Sequence, residues 1–208
     1  MTQTAGNGAT RHLTHNNNLS EQPFISQLKQ QDAQAFRTLV HEYGDRVFNT
    51  VLGILQHREN AEDVAQEVFA EVFQSIGQFK EGAKLSTWVY RIAVTKALEF
   101  IRAKNRKKRA GFLLPLFGME ETLEAGSTPF YHPGVIMENK QRSAVLFKAI
   151  AKLPEQQQAC FVLNKVEGLS YAEVAEIINK PVSAVESLLV RARQNLQKWL
   201  ADYYKEHG

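Results

Sequence analysis

Polar and charged side chains crowd one side of residues 181–196, PVSAVESLLVRARQNL. At 3.6 residues per turn, this segment predicts a helix with one apolar side and an opposite side that carries Ser183, Glu186, Ser187, Val190 and Gln194. Hydroxyls can bond bases or phosphates, and an apolar tip such as Val190 can touch a thymine methyl. Arg191 and Arg193 lie one turn deeper, where they suit backbone phosphates. This chemistry favours DNA recognition over the alternative of an ordinary helical hairpin.

Glu186 has two interpretations. It can close a capping box with Ser183 at the start of the helix, which is a structural role that we favour slightly. Alternatively, its carboxylate can accept a hydrogen bond from cytosine N4 in the major groove. In both cases the helix offers little nonspecific attraction to DNA, so we expect this part of the chain to bind DNA weakly alone.

The residues before this helix predict a helix-turn-helix. Ser170 and Glu173 have the spacing of a capping box, so a short helix should run from 171 to about 178. Asn179 suits the left-handed conformation that ends a helix, and Pro181 suits the first turn of the next one. The inward side chains of the short helix are expected to be Val174, Ala175 and Ile178.

Catalytic and metal chemistry are not indicated. There is no Gly-rich phosphate loop, and His41, His57 and His132 lie in unrelated contexts without an evident nucleophile. His12 and His15 lack Cys or acidic companions, so we predict no metal site. We also predict no cofactor and no enzymatic activity. The single cysteine, Cys160, sits in the apolar run ACFVL and is interpreted as a core residue.

Patterning along the 208 residues predicts an all-α protein of two small helical domains joined by a flexible linker, the C-terminal one a helix-turn-helix. Residues 1–19 have almost no apolar content and form a predicted disordered leader. Residues 20–109 form the first helical domain, in which Asp32 is a plausible helix cap and a second helix has an apolar stripe from Ala61 to Ile76. Residues 110–136 are a linker rich in Gly, Pro, Ser and Thr, and 137–208 form the second domain.

Location and charge add two expectations. No apolar run approaches a membrane span and the N-terminus lacks a secretory signal, so we expect a cytoplasmic protein without stable membrane insertion. The net charge is only +3, but residues 102–109, RAKNRKKR, concentrate six cations. This run is either a solvated helix end or a contact to a polyanion.

Four motifs in order, NAEDVAQEVFAEVF, STWVYRIAVTKALEFIR, LPEQQQACFVL and EGLSYAEVAEIINKPVSAVESLLVRARQNL, resemble the extracytoplasmic-function (ECF) sigma factors of bacterial RNA polymerase. The resemblance covers roughly residues 24–200. It implies that 20–109 is sigma region 2 and 137–208 is sigma region 4. It further implies a protein that binds core RNA polymerase, directs it to promoter −10 and −35 elements, and promotes melting.

The resemblance implies a polymerase-docking motif on the helix around Asp63. Its members here are Asp63, Gln66, Glu67 and Phe69. At helical spacing, the acidic and amide residues of this segment form one ridge opposite the apolar stripe. Without the resemblance, such a ridge would usually be a solvated face.

The helix that begins near Ser86 resembles the melting segment of the family. Trp88, Arg91, Thr95 and Arg102 share one face, a combination that suits single-stranded DNA because bases stack on aromatics and cations follow the backbone. Core packing is the alternative role for Trp88. In relatives the loop at 80–85 helps to hold a flipped base. The expected −10 residues are Lys84, Ser86, Trp88, Arg91, Thr95, Lys96 and Arg102.

The recognition helix departs from the family pattern, so its −35 preference should not be assumed. Ala184, Glu186 and Leu188 replace the Thr, Lys and Arg often seen there, and Thr95 replaces a common Asn in the −10 segment. The expected −35 residues are Ser183, Ala184, Glu186, Ser187, Val190, Arg191 and Arg193. The expected partners are core polymerase, promoter DNA and an anti-sigma factor, with no homo-oligomer required. The alternative is a conventional dimeric helix-turn-helix regulator.

Overall fold

The computed structural model describes residues 18–80, 82, 84–112 and 140–207. These residues are helical and contain no strand, which confirms the predicted all-α class. The helices are α1 (Asn18–Lys29), α2 (Ala33–Leu55), α3 (Arg58–Ser75), α4 (Leu85–Phe112), α5 (Lys140–Ile150), α6 (Glu155–Phe161), α7 (Tyr171–Ile178) and α8 (Val182–His207). A 3₁₀ turn, Ile76–Gln78, follows α3, and a π-helical segment, Val162–Val166, continues α6.

Helices α2, α3 and α4 pack against one another and form the core of the first half. Local signals set their ends. Asp32 caps α2 as predicted, because its Oδ1 accepts a hydrogen bond of 2.7 Å from the Ala35 amide. Gln56 adopts the left-handed conformation at φ 56° and ends α2. The His57 ring then caps α3 by accepting from the Asn60 amide at 3.4 Å.

The apolar stripe predicted on α3 is confirmed for most of its length, since Ala61, Val64, Val68 and Val72 are fully buried or nearly so. Phe73 is the exception. It is exposed and makes an edge contact with Phe36 of α2, with ring centroids 5.1 Å apart. Phe73, although part of the predicted stripe, therefore lies at the edge of the α2–α3 contact and not in the core.

Several boundaries differ from the expectations. Helix α1 begins at Asn18, inside the predicted leader, and α4 continues through Phe112, beyond the predicted end of the first domain at 109. Helix α5 is described from Lys140 onward, and the expected start of the second domain near 137 lies outside the described residues. The rest of the leader and nearly all of the predicted linker lie outside the described residues, as does His132.

The second half contains the predicted helix-turn-helix. Ser170 and Glu173 form the capping box at the start of α7, and Asn179 ends this helix at φ 53°. Pro181 lies immediately before α8 rather than in its first turn. In α7, Val174, Ala175 and Ile177 are buried, whereas Ile178, predicted to point inward, is only half-buried. On α8, the predicted stripe is confirmed by the buried side chains Val185, Leu189, Ala192 and Leu196.

The two halves pack directly on each other, with α7 against α4 and the π-helical segment against α2. Gln158 is buried and its side-chain amide donates a hydrogen bond of 2.7 Å to the Ile54 carbonyl, near the end of α2. Val162 is fully buried against Gly53, where an added Cβ would lie only 2.8 Å from its Cγ1. Only a residue without a side chain fits this approach.

Candidate functional site

The first candidate surface is the acidic and amide ridge on α3. Asp63, Gln66 and Glu67 are exposed along one side of the helix, as the spacing predicted. Glu62 on the same side forms an exposed ion pair of 2.8 Å with Arg58, and Glu71 lies 3.3 Å from the Lys96 ammonium of α4. Carboxylates on exposed helix faces suit a basic or amide-rich protein partner.

An apolar groove adjoins this ridge. It lies between α2 and α3 and is lined by Phe36, Val40, Gln66, Phe69, Ala70 and Phe73. Phe69, which was predicted to dock on the polymerase, is half-buried and lines this groove as well as contacting the core. No contribution to this groove was predicted for Phe36, Val40 or Phe73. Their signal was available: a second apolar row on α2 and α3 that the core stripe does not use.

The second candidate surface is the face of α4. Arg91, Thr95 and Arg102 line one cavity, which confirms that these residues share a face. Trp88 is half-buried and its ring makes an edge contact with Phe79, with centroids 5.4 Å apart. The ring therefore packs against the segment before α4, as the core-packing role predicts, and it retains some accessible surface.

The cations of this surface face oxygen atoms of the second half. The Arg91 guanidinium donates to the carbonyls of Ile177, at 3.3 Å, and Glu176 at the end of α7. Arg102 forms an ion pair with Glu155 of α6: its Nε donates a hydrogen bond of 2.8 Å to Glu155 Oε2, and its Nη2 lies 2.7 Å from the same oxygen. The hydrogen bond raises the pKa of the guanidinium above its ordinary value. Lys84 lies 3.9 Å from Glu173.

Lys96 and Ser86 differ from the other predicted −10 residues. The Lys96 ammonium is paired with Glu71 within the first half, and Ser86 is half-buried at the start of α4. The basic run continues from Arg102 with Lys104, Arg106 and Lys107, whose side chains are exposed. Exposed cations therefore continue along this helix as far as Lys107.

The third candidate surface is the N-terminal half of α8. Its expected −35 residues are exposed except Ala184, which is half-buried: Ser183, Glu186, Ser187, Val190, Arg191 and Arg193. The Ser187 hydroxyl donates to the Ser183 carbonyl at 2.9 Å, and Arg193 donates to the Tyr171 hydroxyl at 3.3 Å.

The predicted second capping box at Ser183 and Glu186 is wrong. Helix α8 begins at Val182, and the amides of Ala184 and Val185 both donate to the Pro181 carbonyl. Ser183 is thus inside the first turn and cannot be the cap, because a cap residue precedes the helix. Glu186 points from an exposed position on the recognition face.

Comparison with known proteins agrees with this arrangement. Residues 39–107 match the protein family described as Sigma-70 region 2, and residues 143–196 match the one described as Sigma-70, region 4. The ECF RNA polymerase sigma factor SigW of Bacillus subtilis is 32% identical over 185 residues, which cover 86% of this chain and 95% of that protein. The chain belongs to the ECF sigma factors.

A second relative is similar to the same extent. The ECF RNA polymerase sigma-E factor of Haemophilus influenzae is 30% identical over 179 residues, covering 86% of this chain and 94% of the relative. As an ECF sigma factor, the chain binds core RNA polymerase, directs it to promoters and starts transcription. These matches support this function and not the alternative of a conventional dimeric regulator.

Solved structures share the fold. The sigma factor RpoE of Bartonella quintana, in complex with the anti-sigma factor NepR, has a TM-score of 0.63 at 19% identity and covers 81% of this chain and 98% of that one. CnrH in complex with the cytosolic domain of CnrY has a TM-score of 0.61 at 22% identity, and the match covers 86% of this chain and 96% of that one.

The described residues contain neither a metal-binding cluster nor a membrane-spanning helix. No group of three or more His, Cys, Asp or Glu side chains in this part of the chain could hold a metal ion. None of the helices described has the combination of length and apolar character that a membrane span needs.

Proposed function

We propose that the three surfaces divide the work of this sigma factor. The ridge of Asp63, Gln66 and Glu67, together with the adjoining groove at Phe69, docks on core polymerase. The exposed carboxylates of α3 and the accessible apolar groove between α2 and α3 lie side by side, which supports the assignment. An apolar contact supplies affinity, and the charges around it supply orientation and partner choice.

The face of α4 binds the −10 element in this proposal. Arg91, Thr95 and Arg102 share its surface, and the exposed part of Trp88 can stack on an unpaired base. Lys84, Ser86 and Lys96 flank this face and complete the contact. The cations that follow Arg102 then track duplex phosphates upstream, which makes binding depend on salt.

The start of α8 binds the −35 element in the major groove. Because Glu186 does not cap the helix, its carboxylate is available to accept a hydrogen bond from cytosine N4. Val190 is 50% exposed and suits a thymine methyl, while Arg191 and Arg193 lie deeper, near the phosphates. Ser183, Ala184 and Ser187 line the rest of the contact.

The cellular setting follows from the same function. Two proteins with this fold are bound to anti-sigma factors, NepR in one case and the cytosolic domain of CnrY in the other. We infer that this sigma factor is likewise held by an anti-sigma factor in the cytoplasm, where core polymerase and DNA are found. The chain itself acts by binding, and the chemistry of RNA synthesis belongs to the polymerase.

The observation that carries the docking proposal is the exposed row of Asp63, Gln66 and Glu67. The test is reconstituted initiation with purified core RNA polymerase and a pool of promoter DNA, with transcripts sequenced from their 5′ ends. Asp63→Ala with Glu67→Ala should weaken polymerase binding about tenfold or more, because two charged contacts are lost. The matched control, Glu42→Ala with Asp45→Ala, removes two exposed carboxylates from α2.

The two double variants should differ in pull-down with core polymerase while keeping the same helical circular dichroism. Equal polymerase binding by both variants would remove the α3 ridge from the docking surface. Transcripts that appear only when sigma factor and core polymerase are both present also reveal the −10 and −35 sequences, against which the α4 and α8 assignments are compared.

A further inference from the structure

A cavity of about 280 Å³ lies where the two halves of the chain meet. Its walls come from α4, from α6, and from the end of α7 with the turn that follows it. We propose that this cavity is a binding site for a small aliphatic carboxylate, whose chain fills the apolar interior and whose head group meets cations at the wall. The inference goes beyond the proposed function, which assigns no small ligand to this protein.

The interior of the cavity is aliphatic. Five of the side chains that line it are apolar, and none of its described lining residues is aromatic. A nucleobase or another ring therefore has no flat side chain to stack on, whereas an alkyl chain gains from burial alone. The space equals that of about nine water molecules at roughly 30 Å³ each, so an unbranched chain of about eight carbons matches it. The apolar lining residues are Val94, Leu98, Ala159, Ile177 and Ile178.

The charged part of the cavity wall is cationic. Arg91, Arg102 and Lys180 line it, and none of its described lining residues is acidic. Arg91 donates to two carbonyls at the end of α7, and Arg102 pairs with Glu155, a residue outside the lining. Each guanidinium has five N–H donors, so both arginines keep donors for a further oxygen atom. The wall therefore favours an anionic head group over a neutral or cationic one.

Lys180 is the cation best placed to hold the head group. It is half-buried in the turn between α7 and α8, and no carboxylate among the described residues lies within ion-pair distance of its ammonium. Removing a charge from water without a partner is costly, so a bound carboxylate would satisfy a group that the packing has partly desolvated. Gln156 and Asn179 line the same cavity, and their amides can donate to the second carboxylate oxygen.

A ligand in this cavity touches both halves at once, because α4 belongs to the first half and α6 and α7 belong to the second. Its binding therefore stabilises the folded chain increasingly as the ligand concentration rises above the dissociation constant. Arg91, Thr95 and Arg102 are also proposed −10 residues, so a bound carboxylate and DNA compete for the same donors. This competition rests on the proposed function of α4, whereas the ligand site itself does not.

The test measures binding of radiolabelled octanoate to the purified full-length chain by equilibrium dialysis, without DNA or polymerase. Two competitors separate chain from charge: octyltrimethylammonium has the same chain with a cationic head, and acetate has the same head without the chain. Lys180→Gln removes the unpaired charge and keeps an uncharged polar side chain. The matched control is Lys165→Gln, which removes an exposed cation of the second half that does not line the cavity. Urea midpoints without ligand show whether both variants fold.

We expect saturable binding of octanoate with a dissociation constant of about 1 mM or lower, as suits a ligand of about ten non-hydrogen atoms. Each methylene added between butanoate and octanoate should tighten binding about fourfold, and longer chains should gain little because the cavity is full. Lys180→Gln should weaken binding about tenfold through loss of a charge-assisted hydrogen bond, whereas Lys165→Gln should leave it unchanged. Gln156→Glu, which adds a carboxylate to the wall, should also weaken binding and serves as the second variant if Lys180→Gln impairs folding.

Three outcomes would overturn the site: no saturable binding at millimolar octanoate, equal competition by octyltrimethylammonium, or octanoate binding that Lys180→Gln and Gln156→Glu leave as strong as in the unmodified chain. Competition with DNA is measured with a fluorescent single-stranded fragment that contains the mapped −10 sequence, and octanoate should lower its affinity less in Lys180→Gln than in the unmodified chain. Failure of the underlying −10 assignment has a separate signature. In that case octanoate still binds, but Arg91→Ala leaves transcription by the assembled holoenzyme unchanged.

Discussion

Replacing Ser170 by alanine should destabilise region 4 by removing the cap that starts α7. The Ser170 hydroxyl accepts a hydrogen bond of 3.3 Å from the Glu173 amide and donates one of 2.7 Å to the Glu173 carboxylate. That carboxylate also accepts from the Ser170 amide at 2.9 Å, a bond that survives the substitution. Ser170→Ala thus removes two of the three bonds of this capping box.

The expected cost is about 1 kcal/mol in the free energy of unfolding, within the range of about 0.5–2 kcal/mol for loss of a serine cap. The expected cost lies near the middle of this range because Ser170 is exposed and water can replace part of the lost hydrogen bonding. Helix α7 has only 8 residues, too few to form without its cap and its packing. A loss of this size lowers the melting temperature by roughly 2–8 °C.

Urea unfolding followed by circular dichroism measures this change. Ser170→Thr keeps a capping hydroxyl and should recover most of the loss. Ser187→Ala is the matched control, because its hydroxyl bonds the carbonyl of Ser183 within α8 and alanine is the better helix former. If Ser170→Ala unfolds at the same urea concentration as Ser187→Ala, or if Ser170→Thr is as unstable as Ser170→Ala, the capping box does not stabilise this region.

Three further predictions concern single side chains. Hydrogen bonds from the Ser170 amide and hydroxyl lower the pKa of Glu173, so this carboxylate stabilises the fold at pH values above its unfolded pKa of about 4.3. The free energy of unfolding should therefore fall as the pH drops through the lower pKa of the folded state. In Glu173→Gln, the urea midpoint should change less over that pH range. Burial raises the pKa of Cys160 to about 11, so iodoacetamide at pH 8 should label it only after unfolding, as mass spectrometry would show. Glu186→Gln should relax the preference for cytosine at one −35 position in sequencing of selected promoters, while a spectrum identical to that of the unmodified protein would exclude a base contact.

Local signals in the sequence predicted the helix ends correctly where one residue decides the geometry. Asp32, the Ser170 and Glu173 pair, and Asn179 each act through backbone groups within four residues, so spacing alone reveals them. The cap favoured at Ser183 was wrong because the carbonyl of Pro181 already starts the helix two residues earlier. Spacing alone cannot rank two competing signals that lie two residues apart.

Contacts between distant parts of the chain could not be predicted from the sequence. The face shared by Arg91, Thr95 and Arg102 followed from helical periodicity, but its partners on α6 and α7 did not. Those partners depend on the fit of Val162 against Gly53, more than 100 residues apart in the chain. A lone glycine inside a helix usually signals only a modest cost in helix stability, so nothing local marked Gly53 as a contact.

The charge-poor recognition helix is expected to weaken the binding of the free protein to DNA. Glu186 occupies the start of α8, where a cation would add nonspecific attraction. This weakness matters less in the holoenzyme, because polymerase holds the two regions beside one promoter and the second contact then forms at high effective concentration. We therefore expect the chain to bind promoters through the polymerase, so that sigma factor that has not found polymerase competes little for the same DNA.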